Sequence, residues 1–173
     1  MLRRIFGGSQ KRKESVGERA VHLTKEFFGR SPSIPMQAHT FTELFAFVFL
    51  NADVFAAMKH PDIRDSVCQS LSHAFSQELG KTFSVTYGEE YINALNTRVR
   101  EYGSLIQEGS RPSDVFERFS FHFLQTNAAG EFNGPNTRLY IEGAFDAMSK
   151  KQELAVFCST SVPEFVKRIP RLM

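Results

Sequence analysis

Thr40-Phe41-Thr42-Glu43-Leu44-Phe45-Ala46-Phe47-Val48-Phe49-Leu50-Asn51-Ala52-Asp53-Val54-Phe55-Ala56-Ala57-Met58 is the stretch that decides the fold. Phe41, Leu44, Phe45, Val48, Ala52 and Phe55 recur at helical steps and share one face, while Phe47, Phe49 and Leu50 fill the others. A helix that is apolar nearly all round belongs at the centre of a bundle. Phe45 to Phe49 also alternates with period two, which is strand patterning. The Thr40-x-x-Glu43 spacing of a capping box and the 3.6-residue period of the flanks decide for helix, with the Thr hydroxyl and the Glu carboxylate expected to satisfy orphan backbone donors.

Outward from this centre the chain reads as further helices. Val16, Ala20, Leu23 and Phe27 predict a helix from Glu14 to Phe28 with a stop at Gly29, followed by a loop at Ser31-Pro32-Ser33-Ile34-Pro35. Pro61 opens the next helix, which carries Ile63, Val67, Leu71, Phe75 and Leu79 to a stop at Gly80, with Asp62 and Asp65 near its positive end. Ile92, Leu95, Val99, Tyr102 and Ile106 form a narrow stripe on a helix ended by Gly109. Pro112 opens another helix, with Val115, Phe116, Phe119 and Phe123 facing inward up to a turn-rich stretch that begins at Asn127. Phe119 to Phe123 also alternates with period two and is read as helix on the same grounds; Leu154 to Thr160 reads equally as helix or strand. A helix is expected from Thr137 to about Lys151, where Gly143, Ala144 and Ala147 leave one face small. Ser161-x-x-Glu164 has capping-box spacing and predicts a short terminal helix that ends before Pro170.

The fold class is therefore all-α, a compact bundle of about six or seven helices with a central Phe-rich helix. Its 18 Phe outnumber its 12 Leu, there is no Trp, and Phe41, Phe45, Phe47, Phe49, Phe55, Phe75, Phe116, Phe119, Phe121 and Phe123 are expected in the core. The length of 173 residues suits one domain. Residues 1–13 are expected to be a flexible basic arm and residues 14–173 a single helical domain.

Charge separates the same two parts. The formal net charge is +2, yet Arg3, Arg4, Lys11, Arg12 and Lys13 stand in the first thirteen residues with no acid, which leaves the body slightly acidic. Duplex nucleic-acid binding by that body is disfavoured, because phosphate neutralisation needs a broad positive field. The arm instead suits an anionic membrane surface, where five basic residues contribute at most about 5 kcal/mol. It lacks the long apolar region of a secretory signal, although an organelle transit peptide has the same Arg-bearing, acid-poor character. Cys68 and Cys158 are the only cysteines, so a disulfide framework is not expected and a reducing cytoplasm fits. Glu43, Asn51 and Asp53 interrupt the longest apolar stretch, so no segment is expected to span a membrane.

The chemistry-bearing residues form no catalytic motif. His22 and Glu26, and His39 and Glu43, stand four apart, but His39 is expected just outside its helix and Glu43 in a cap, so no metal site is expected. His73 and His122 lie among apolar residues in the sequence and could serve as axial haem ligands. With Phe47, Phe121 and Gly143 they are the candidate lining of a cavity for a lipid or haem, since bundles house ligands between helices. Cys158 precedes the last predicted helix, with no His or Asp placed to activate it. There is no G-x-S-x-G, Walker loop or G-x-G-x-x-G. The expected role is a non-catalytic intracellular, cytoplasmic module that binds another protein, with peripheral membrane contact through the arm and no cofactor. A carrier or sensor of an apolar ligand is the alternative, and an enzyme with an unrecognised site the third reading.

Overall fold

The computed structural model describes residues 14–86, 88–132 and 144–173. All regular structure among them is helical: α1 (Val16–Arg30), α2 (Ala38–Lys59), α3 (Arg64–Phe83), α4 (Glu89–Gln107), α5 (Pro112–Ala129), α6 (Ala144–Val156) and α7 (Val162–Leu172). The expected all-α bundle is the fold found. Both period-two segments are helical, Phe45–Phe49 inside α2 and Phe119–Phe123 inside α5, and so is Leu154–Thr160. Residues 1–13 and Gly143 lie outside the described residues, as does the start of the helix expected from Thr137.

Helix α2 is the hub and packs against α1, α3, α4, α5 and α7. It is long and apolar enough to cross a membrane by length and composition alone, but 67% of that apolar window is buried inside the bundle. Its rings fill the interior. Phe45 stacks on Phe75 with centroids 5.1 Å apart, and Phe47 stacks on Phe119 at 4.4 Å. On the other side Phe27 meets Phe123 at 6.1 Å and Phe157 at 5.1 Å. Each such buried side chain contributes about 1.5–3 kcal/mol through removal from water. Of the ten expected core rings, Phe49, Phe55, Phe116 and Phe121 are only half-buried, while Phe27, Phe28, Phe157 and Phe165 join the core.

Helix ends depart from expectation for local reasons. α2 starts at Ala38, so Thr40 stands inside the first turn and its hydroxyl accepts from the Gln37 N–H at 3.1 Å; Glu43 is thereby freed from capping and turns inward. A Ser-x-x-Glu capping box does form at α1, where Glu18 N–H donates to Ser15 Oγ (3.1 Å) and Ser15 N–H to Glu18 Oε2 (2.8 Å). Gly80 does not stop α3, which runs to Phe83 and ends at Ser84 in the left-handed region. Gly109 does sit where α4 ends, with a positive φ of 80° that glycine accepts without strain.

The separate capped terminal helix is not found. The chain passes from α6 into α7 through a π turn at Phe157–Ser161, and Ser161 is helical with no side-chain cap. Thr160 Oγ1 donates to the Val156 carbonyl at 2.6 Å, so the hydroxyls bond backward rather than cap forward. α7 also continues through Pro170 to Leu172. Close packing elsewhere depends on one glycine: Gly17 lets α1 press on α3, its N–H donating to Ser70 Oγ at 2.9 Å.

Candidate functional site

Two features stand out from the packed core, a groove at the surface and a polar cluster in the interior. The groove lies between the C-terminal half of α1 and the rod formed by α6 and the π turn, and its volume is about 410 Å³. Leu23, Glu26, Phe27 and Arg30 form one wall, one face of α1 by their three- and four-residue spacing. Glu153, Val156 and Phe157 form the other, with Thr160 and Ser161 at its end. π turns are frequent at functional sites because the extra residue re-aims side chains, and here the turn supplies the end of the groove.

The groove's surface is apolar in the middle and polar at the rim. Leu23, Phe27 and Phe157 are buried beneath it, while Val156 is 58% exposed. Glu26 is bound by neighbours on its own helix, with Arg19 Nη1 at 3.5 Å, His22 Nε2 at 3.3 Å and Arg30 Nη2 at 3.9 Å. Glu153 differs, because its Oε2 is buried without any hydrogen-bond partner. An unpaired buried carboxylate oxygen is costly unless something bonds it.

The interior cluster joins α2, α4 and α5. Glu43 is fully buried, and Arg98 donates to it from Nε (2.9 Å to Oε2) and Nη2 (3.0 Å to Oε1), with Thr126 Oγ1 adding a third donor at 3.2 Å. Arg98 Nη1 also reaches Glu101 Oε2 at 3.4 Å, and Glu101 Oε1 bonds His122 Nε2 at 3.0 Å. The hydrogen bond from His122 lowers the Glu101 carboxyl from its ordinary value; burial opposes this, and the charges of His122, Arg98 and Arg118 reinforce it. Tyr102 beside them is held well above its ordinary value by burial and by the Glu43 charge, and its hydroxyl has no hydrogen-bond partner. Carboxylates and cations here satisfy one another, so the cluster ties three helices together rather than presenting a reactive group.

The residues singled out from the sequence do not gather into one pocket. His73 is exposed on α3 rather than set among apolar neighbours, because the buried face of that helix runs through Val67, Leu71, Ala74, Phe75 and Leu79. His122 is buried, with Nε2 taken up by Glu101 and Nδ1 without a hydrogen-bond partner, and Phe121 stands half-buried with its ring edge-on to His122 at 5.5 Å. Phe47 lines a second, smaller groove of about 270 Å³ with Leu50, Val54, Ile106, Pro112 and Val115. His39 lies inside α2, contrary to expectation, and meets Tyr91 and Phe132, while Glu43 faces Arg98; the two His–Glu pairs do not converge. Among the described residues no group of three His, Cys, Asp or Glu is placed to hold a metal ion. Cys68 donates to Asp53 Oδ1 at 3.3 Å and its thiol is pushed up to about 12 by burial and by that carboxylate, which Arg64 also grips. Cys158 is likewise pushed up by burial, so neither thiol has nucleophilic character.

Sequence reading passed over Arg98, Glu101, Glu153 and Val156. A signal for the first existed, since Glu43 stands among residues that are apolar on every side in the first half of α2, and a carboxylate buried there requires a cation. Compared with known proteins, the chain matches no family model, no curated protein and no solved structure.

Proposed function

We propose that this chain is a non-catalytic, cytoplasmic helical module that binds another protein through the groove between α1 and α6, and that residues 1–13 add contact with an anionic membrane surface. The observation that carries this reading is the groove itself. It combines an apolar floor at Leu23, Phe27 and Phe157 with an exposed apolar rim at Val156 and a polar margin, the composition of a surface that accepts a partner's side chains. The interior ionisable groups favour the same reading, because Glu43 and Arg98 are consumed in mutual pairing.

A photo-reactive amino acid placed at Val156, compared with one at the exposed His73 on α3, tests the surface in cells of the protein's own host. A discrete adduct from position 156 that is absent from position 73 is expected; equal labelling at both positions overturns the assignment. For the membrane contact, vesicles containing phosphatidylserine should sediment the full chain and lose it when residues 1–13 are deleted. Unchanged sedimentation removes the membrane from the account.

The second reading, a carrier of an apolar ligand, is favoured by the Phe47 groove, whose lining is mainly apolar with Asn51 and Ser110 as its polar members. Native mass spectrometry of protein from its own host separates it from the first. An added mass of a few hundred daltons that disappears in a Val54→Arg variant supports the carrier.

A further inference from the structure

We propose that the occupant of the α1–α6 groove is a basic amphipathic helix of a partner protein, whose apolar residues seat on Phe27 and Val156 and whose Lys or Arg pairs with Glu153. This rests on the groove being the binding surface and names the chemistry of what it binds. Three observations lead there. The α1 wall from Leu23 to Arg30 spans two helical turns, about 10 Å, which matches anchors at i, i+4 and i+7 of a bound helix. The floor is apolar, with Val156 standing 58% exposed at its edge.

Charge supplies the specificity. Of the charged groups in the walls, Arg30 and Glu26 already face each other at 3.9 Å, whereas Glu153 Oε2 is buried with no hydrogen-bond partner. The Glu153 side chain lines the groove and is half-buried, so an incoming cation pairs with its carboxylate in a setting where a charge-assisted hydrogen bond is stronger than in water. An acidic segment finds Arg30 already facing Glu26 and is repelled by Glu153. The groove therefore selects sign as well as apolarity, the two requirements a basic amphipathic helix meets at once.

Fluorescence anisotropy of the full chain with three synthetic helical peptides of one apolar pattern, built of Leu with Lys, Leu with Gln or Leu with Glu, tests this. The Leu/Lys peptide should bind, Glu153→Gln should weaken it about tenfold, as loss of one charge-assisted bond requires, and Val156→Arg should abolish it. Glu164→Gln, at an exposed acid of α7 outside the groove, should leave binding unchanged. Equal affinity for the Lys and Gln peptides, each lost in Val156→Arg, overturns the basic partner while the groove stands. Absence of binding by all three peptides, or binding untouched by Val156→Arg, overturns both. Binding that emerges only when residues 1–13 are removed overturns the partner helix in favour of the chain's own basic segment.

Discussion

Replacing Arg98 with Met leaves the Glu43 carboxylate in the interior with only the Thr126 hydroxyl as donor. Both partners are enclosed, Glu43 with no exposed side-chain surface and Arg98 with 9%. Removing one partner of such a pair costs about 3–5 kcal/mol, because the other charge stays buried without compensation. Against a typical total of about 5–15 kcal/mol that is a large share. For a chain of this size it corresponds to a fall in Tm of roughly 6–20 °C. Urea unfolding followed by circular dichroism should show the midpoint falling with the slope unchanged. The double variant Glu43→Leu, Arg98→Met should recover most of the loss, since apolar groups replace a buried pair at little cost. A single-variant loss below about 1 kcal/mol, or a double variant no more stable than the Arg98→Met single, refutes the reasoning.

Gly17→Ala drives a methyl into the Ser70 carbonyl oxygen and to 2.7 Å from Ala74 Cβ, and backbone does not yield as a flexible side chain does. A loss of about 1–3 kcal/mol in urea unfolding is expected, and a neutral substitution contradicts the α1–α3 packing. Glu101, lowered by the His122 hydrogen bond, contributes stability that is complete above its ordinary value of 4.5 and is lost as pH falls through its lower folded value. Acid unfolding of Glu101→Gln should therefore be flatter below about pH 4.5, and parallel curves contradict the bond. Both cysteines should resist iodoacetamide at neutral pH until urea unfolds the chain, as thiols raised by burial must. Rapid modification of the native protein contradicts this.

The helical bundle was legible because α2 has apolar residues on every face, which excludes any place but the centre, and the packing bears that out. Side-chain pairing was less legible. Along α4 the steps of three and four admit two neighbouring stripes that share Leu95 and Tyr102. Periodicity favoured the one with Ile92 and Ile106, which stand 38% and 39% exposed, over the one centred on Arg98. A guanidinium on a buried face follows only from knowing that Glu43 waits opposite it, a fact held in tertiary structure. Capping boxes show the same limit. S/T-x-x-E patterns occur at Ser15, Thr40, Thr86 and Ser161, and of these only Ser15 caps its helix; α4 starts at Glu89 with Gly88, not Thr86, at its N-cap. At Thr40 the helix begins earlier, and at Ser161 the π turn leaves no helix start to cap. The groove was invisible for a related reason: Leu23 and Phe27 read as core, and nothing local announces that Glu153 and Val156 lie across from them.

Heteronuclear NMR titration of the full chain with the Leu/Lys peptide, read at individual residues, bears most directly on the claim that this molecule works through one face. Shifts confined to Leu23, Phe27, Glu153, Val156 and Phe157 are the predicted result. Shifts centred on Phe47, Val54 and Ile106, or spread through α2, contradict it.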